Sequence, residues 1–285
     1  MLNNLKTAVL LAGLGGFCMA IGFIFGGSSG MTIGLLIGLA MCGGSYWFSD
    51  KLAIRSANAV EVTQQQMPQY HAIMSDLCQK ADIPMPRLYV SRKPQPNAFA
   101  TGRSPEHAAV CVTEGLLQVL TWREIEGVLA HELSHVRNRD ILIGSVAAAL
   151  AMGITFAASM ARWGLMFGGF GGGGRGDDRD GNPFAALLMM LLAPVAAAVI
   201  QMAISRSREF EADASAARIL GTGEPLAAAL EKLEFGAKRI PADINPAEAS
   251  AYIVNPLAGV SMANMFSTHP PVAERIARLR SGAWA

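Results

Sequence analysis

The stretch TWREIEGVLAHELSHVRN at positions 121–138 decides how the rest of the chain is read. Thr121 followed three residues later by Glu124 is a capping-box signature, so a helix is expected to begin near Trp122 and run to about Asn138. His131 and His135 lie four apart on that helix, about 40° from each other around its axis, which aims both imidazoles at one point. Glu132 sits one step round, where its carboxylate reaches a water on the same metal without ligating it. The pattern is His-Glu-x-x-His. On its own it also fits a polar helix face that happens to carry two histidines, so the reading depends on a third ligand elsewhere.

A catalytic zinc takes three protein ligands and keeps a fourth position for water. The segment Ser205-Arg206-Ser207-Arg208-Glu209-Phe210-Glu211-Ala212-Asp213 supplies candidates. Glu209 and Asp213 share a helix face, whereas Glu211 is about 200° from Glu209 and faces elsewhere. Glu209 is therefore the expected third ligand. Asp213, one turn along, is placed to accept the remaining N–H of a ligating histidine and fix its tautomer. Two imidazoles and one carboxylate suit zinc, and one Zn2+ per chain is expected.

The surroundings are those of a membrane protein. Of 285 residues, 52% are hydrophobic and only 16% charged, against about 25% charged in soluble domains. Four uncharged runs, at about 8–26, 31–49, 141–161 and 183–205, are each long enough to cross a bilayer. The turn of the first pair falls on the Gly- and Ser-rich 26–30, and small residues recur four apart at Gly22 and Gly26 and at Gly34 and Gly38. Lys6, Lys51, Arg55, Arg137, Arg139, Arg206 and Arg208 flank one side of these runs. Arg162, Arg175 and Arg179, interleaved with acids, flank the other. Basic flanks stay in the cytoplasm, which puts 50–140 and 206–285 on that side. The charges around the histidines would cost several kcal/mol each in hydrocarbon, so the site lies outside the bilayer, near its cytoplasmic surface.

Other classes are excluded or weak. A net charge of +1 provides no field for nucleic acid. The four cysteines form no Cys-x-x-Cys pair. The Gly-rich run at 168–176 has no preceding strand and no following Gly-Lys-Ser/Thr, so it reads as a connector rather than a phosphate loop. The spans carry no residue charged at neutral pH, which argues against a transporter.

The two charged segments form one domain interrupted by the second hairpin. Within it, 57–80 reads as mostly helical and broken at Pro68, 87–91 and 108–113 read as strands, and 93–105 is loop-rich. The fold class expected is mainly α: four transmembrane helices plus a cytoplasmic, zincin-like α+β metalloprotease domain with a small sheet. Its units are a transmembrane hairpin at 1–49, the protease domain at 50–140 and 206–285, and a second transmembrane hairpin at 141–205. Asn97, at the head of 97–102, is a candidate for a sheet edge that pairs with extended substrate. His269, in a Thr-His-Pro-Pro turn, is a candidate oxyanion donor or a structural turn residue.

Ala130-His131-Glu132-Leu133-Ser134-His135 and Ser207-Arg208-Glu209-Phe210-Glu211-Ala212-Asp213, with Pro96-Asn97-Ala98-Phe99-Ala100-Thr101-Gly102 and Phe266-Ser267-Thr268-His269-Pro270-Pro271, resemble the bacterial membrane-bound endopeptidases of the M48 peptidase family. The resemblance implies zinc held by His131, His135 and Glu209, with Glu132 as catalytic base. It also implies an inner-membrane enzyme that cleaves misfolded or damaged membrane proteins in quality control and stress response, alongside other membrane quality-control proteases. The alternatives are a prenyl-protein processing protease with a similar active site and a non-enzymatic metal-binding membrane protein.

Overall fold

The structure is a computed structural model and describes residues 2–142, 206–237, 253 and 270–284, with only some of the side chains in the first helix. That helix, α1 (Leu2–Ser56), is helical along its length but not straight. Gly27 takes a φ of +57°, a left-handed conformation open to glycine without strain. A Cβ on Gly34 would overlap the Cys18 carbonyl, and one on Gly38 would sit 3.2 Å from the Gly15 Cα. In an unbroken helix Cys18 and Gly34 would be about 24 Å apart. The helix therefore doubles back at Gly27, and its arms meet backbone to backbone across small residues. Among the described residues, which leave out many α1 side chains and all of 143–205, no helix is long and apolar enough to cross a membrane. From residue 143 onward the expected third and fourth spans and the Gly-rich connector lie outside the described residues, and so does His269.

The second arm of α1 continues past residue 49 into the domain. Asp50 pairs with Arg87 at 2.6 Å, and the Arg103 guanidinium stands over the Trp47 ring at 4.8 Å. Ile54 packs on Tyr89, Ala109, Cys111 and Phe99, covering one face of the sheet.

The sheet has four strands in the order β1-β2-β4-β3. These are β1 (Ala59–Glu61), β2 (Arg87–Ser91), β3 (Ala98–Gly102) and β4 (Ala108–Thr113). β2 and β4 run parallel, while β1 with β2 and β3 with β4 are antiparallel. β4 is buried at every residue, with Ala109 and Cys111 toward α1 and Val110 and Val112 in the main core. Both faces are covered, which is why its sequence is apolar without alternation.

Two sequence expectations are corrected here. The stretch 57–67 is not helical: Asn58 adopts φ 49° and starts β1, whose run Ala59-Val60-Glu61-Val62-Thr63 is rich in β-branched residues. The residue before Pro68 is sterically pushed out of the helical region, so the helix α2 (Pro68–Ala81) starts only there. The loop-rich 93–105 also contains β3, whose five residues carry only a short apolar signal.

The remaining elements are α3 (Glu114–Val119), α4 (Trp122–Arg137), α5 (Arg206–Leu220), α6 (Glu224–Ala237) and α7 (Val272–Arg280). α4 starts on the expected capping box, with the Thr121 N–H donating to Glu124 Oε2 at 2.8 Å. It is the central element, packed against α2, β3, α5 and α6. A Cβ on Gly127 would fall 2.5 Å from the Leu226 backbone nitrogen, so α4 and α6 touch along their main chains. α5 buries Glu209, Ala212, Asp213, Ala216 and Ala217, one continuous helical stripe with two carboxylates at its start. α7 packs across α5 and α6.

Candidate active site

α4 presents His131 and His135 from adjacent turns, and α5 brings Glu209 to them from a segment more than seventy residues away. His131 Nε2 lies 3.3 Å from His135 Nε2 and 3.7 Å from a Glu209 oxygen; His135 Nε2 lies 3.5 Å from the other. For metal bonds of 2.0–2.1 Å the ligand atoms of a tetrahedral site stand about 3.4 Å apart. The two nitrogens stand at that spacing, and the three ligand atoms all lie within 4.8 Å of one another.

The imidazoles' other nitrogens also fit the cluster to a cation. His131 Nδ1 is 2.9 Å from Asp213 Oδ1, and His135 Nδ1 is 3.2 Å from Asp140 Oδ2. A carboxylate beside Nδ1 favours the tautomer with the proton on that nitrogen, which leaves Nε2 toward the ligand point. Both Nε2 lone pairs then face each other and a carboxylate, an arrangement stable only around a metal ion or a shared proton. His135 shows the second case: burial opposes its charge, yet the bond to Asp140 and the charges of Glu209 and Glu132 raise its pKa to about 9. Around this point stand Glu132, Asp140, Glu209 and Asp213, against the guanidiniums Arg208 and Arg275. The acids outnumber the bases by a dication's charge.

Glu132 is buried beside the histidines, and its Oε2 accepts the Ala100 N–H at 2.8 Å. Burial pushes its carboxyl above the ordinary value, against the lowering effect of His131 and His135. β3 thus lies along the site. Antiparallel pairing turns alternate residues away from β4, and Ala98 and Ala100 are the ones facing outward.

Asp213 is buried on α5 with Oδ1 against His131 Nδ1. Asn97 does not present the edge: it is 4% exposed, its N–H donates to Thr113 Oγ1, and its Oδ1 accepts the Ile253 N–H. A side chain so engaged anchors the head of β3, and the outward-facing backbone starts one residue later. Glu211 points outward to Arg218.

Two residues escaped the sequence reading. Asp140 reaches His135 only because Arg139 adopts a left-handed φ of 58° and turns the chain back at the end of α4. Arg275 is fully buried and forks onto both Asp213 oxygens at 2.8 and 2.7 Å. A signal for it was present: Val272, Arg275, Ile276 and Leu279 form one helical stripe, and an arginine within an apolar stripe needs a buried partner.

Comparison with known proteins identifies the chain's relatives. The chain is 50% identical over 278 residues to a protein named Protease HtpX homolog from Desulfatibacillum aliphaticivorans, covering 97% of this chain and 89% of that one. It is 49% identical over 282 residues to the Protease HtpX homolog of Pelotomaculum thermopropionicum, covering 98% and 99%. The crystal structure of Ste24p from S. mikatae aligns with a TM-score of 0.48 at 19% identity, over 98% of this chain and 64% of that one. The sequence profile of Peptidase family M48 matches residues 64–283, which include both histidines and Glu209. The chain belongs to peptidase family M48.

Proposed function

We propose that this peptidase is a zinc-dependent endopeptidase, anchored in the bacterial inner membrane, that cuts misfolded or damaged membrane proteins on the cytoplasmic side. The observation that carries the reading is the convergence of His131, His135 and Glu209 on one point beside a buried glutamate. These three residues would hold one zinc ion, which when bound polarises the scissile carbonyl and acidifies water. Glu132 accepts the proton of the attacking water and passes it to the leaving amine, a role favoured by burial that brings its pKa nearer the working pH. His131 and His135 keep their Nε2 atoms toward the ligand point through the Nδ1 contacts to Asp213 and Asp140. An extended substrate pairs with the outward backbone of β3, whose hydrogen bonds are independent of substrate sequence and so suit damaged proteins of many kinds. His269 remains assigned to the vicinity of this site only by its sequence context, as oxyanion donor or turn residue.

The membrane anchor is supported by the α1 hairpin, whose Ile33, Leu36, Ile37 and Leu39 are all more than half exposed, and by the uncharged runs on either side of 168–176. Domain boundaries at 49–50, 140–141 and 205–206, with both protease segments cytoplasmic, follow from the same reading. The test is cleavage of casein by full-length protein in detergent. Activity is expected to vanish with a chelator and return with Zn2+. Glu132→Gln is expected to keep its zinc and lose at least about a hundredfold in turnover; wild-type turnover by that variant would refute the role.

A further inference from the structure

Arg275 has no part in the chemistry proposed above, yet no part of its side chain is exposed. Burying a guanidinium is costly unless it is fully paired, and its pairs are specific. Nε and Nη2 donate to the two oxygens of Asp213, Nη1 donates to the Ile253 carbonyl at 3.1 Å, and Nη1 stands 3.8 Å from Glu209. Asp213 Oδ1 in turn lies 2.9 Å from His131 Nδ1, and the Ile253 N–H donates to Asn97 Oδ1 at the head of β3. One side chain on the C-terminal helix α7 therefore touches the α5 acids, the segment at Ile253 and, through Asp213, the first histidine of α4.

We propose that Arg275 is the positioning residue of the metal centre: its bidentate grip orients the Asp213 carboxylate so that His131 is held in the Nδ1–H tautomer with Nε2 free to ligate. Without that grip Asp213 can rotate about its side-chain torsions, and the histidine loses its fixed plane and tautomer. A lysine cannot replace it, because an ammonium is a point charge and cannot fork onto both oxygens. The inference rests on the metal-site reading of the preceding subsection.

Its test is Co2+ and Zn2+ binding by full-length protein in detergent, following the visible absorption of bound Co2+ and competing Zn2+ against a chelator. The variants are Arg275→Lys, Arg275→Met, Asp213→Asn, the pair Asp213→Asn with Arg275→Met, and Leu279→Ala, which loosens the same helix without touching the network. Arg275→Lys is expected to weaken Zn2+ about tenfold and to alter the Co2+ spectrum. Leu279→Ala is expected to lower the melting temperature while leaving affinity and spectrum as in wild type. In the double variant, which removes both buried charges and so keeps the fold if Arg275→Met alone does not, affinity is expected to equal that of Asp213→Asn. Wild-type affinity and spectrum in Arg275→Lys, or a double variant weaker than Asp213→Asn by the full Arg275→Met factor, would overturn the proposal alone. A wild-type chain that binds no Co2+ would overturn the metal centre with it.

Discussion

Helical periodicity puts His131 with His135, and Glu209 with Asp213, on shared faces, and the structure brings these four side chains together. Asp140 was not readable, since its approach to His135 depends on the left-handed turn at Arg139, a backbone choice that the residue type does not announce. The Asp140 contact has a measurable consequence. With the pKa of His135 raised to about 9, its metal-free form carries a proton through neutral pH, and that proton must leave before Nε2 can ligate. Apparent Zn2+ affinity is therefore expected to rise close to tenfold per pH unit up to about 9 and then level off. Chelator competition from pH 6 to pH 10 measures this; a plateau already reached at pH 7 would contradict it.

Among the elements, α4 was legible from its capping box, and the start of α5 was read as a helix whose face Glu209 and Asp213 share. β1 and β3 were not legible, being three- and five-residue strands whose identity is decided by the neighbours they pair with. Asn97 was misplaced for the same reason: only the tertiary fold reveals that its polar groups serve Thr113 and Ile253. Close approach is another feature invisible in one dimension. Because α4 and α6 touch along their backbones at Gly127, Gly127→Ala must push the metal helix off its partner. Destabilisation of about 2 kcal/mol or more is expected, read as a lowered denaturant midpoint together with weaker metal binding. An unchanged midpoint would mean the helices separate without cost.

For the molecule as a whole, α4 and α5 meet at the site from separate segments of the chain, and the buried Arg275–Asp213 pair ties the last helix, α7, to α5. Burial would raise the Asp213 carboxyl, but the Arg275 charge and hydrogen bonds, with the His131 contact, hold it at about 2. A carboxylate depressed in the fold stabilises it fully above its unfolded value of about 3.9, and that stability is lost as pH falls toward 2. Chelator-treated protein is thus expected to lose stability steeply between pH 4 and pH 2, in unfolding curves recorded across that range. A midpoint flat from pH 4 to pH 2 would show that the pair does not hold α7 to α5. The central claim, that two histidines of one segment and a glutamate of the other share one ion, is tested most directly by the metal content of detergent-purified protein. One zinc per chain is predicted for wild type and Glu132→Gln, and almost none for Glu209→Ala; a full zinc complement in Glu209→Ala would contradict it.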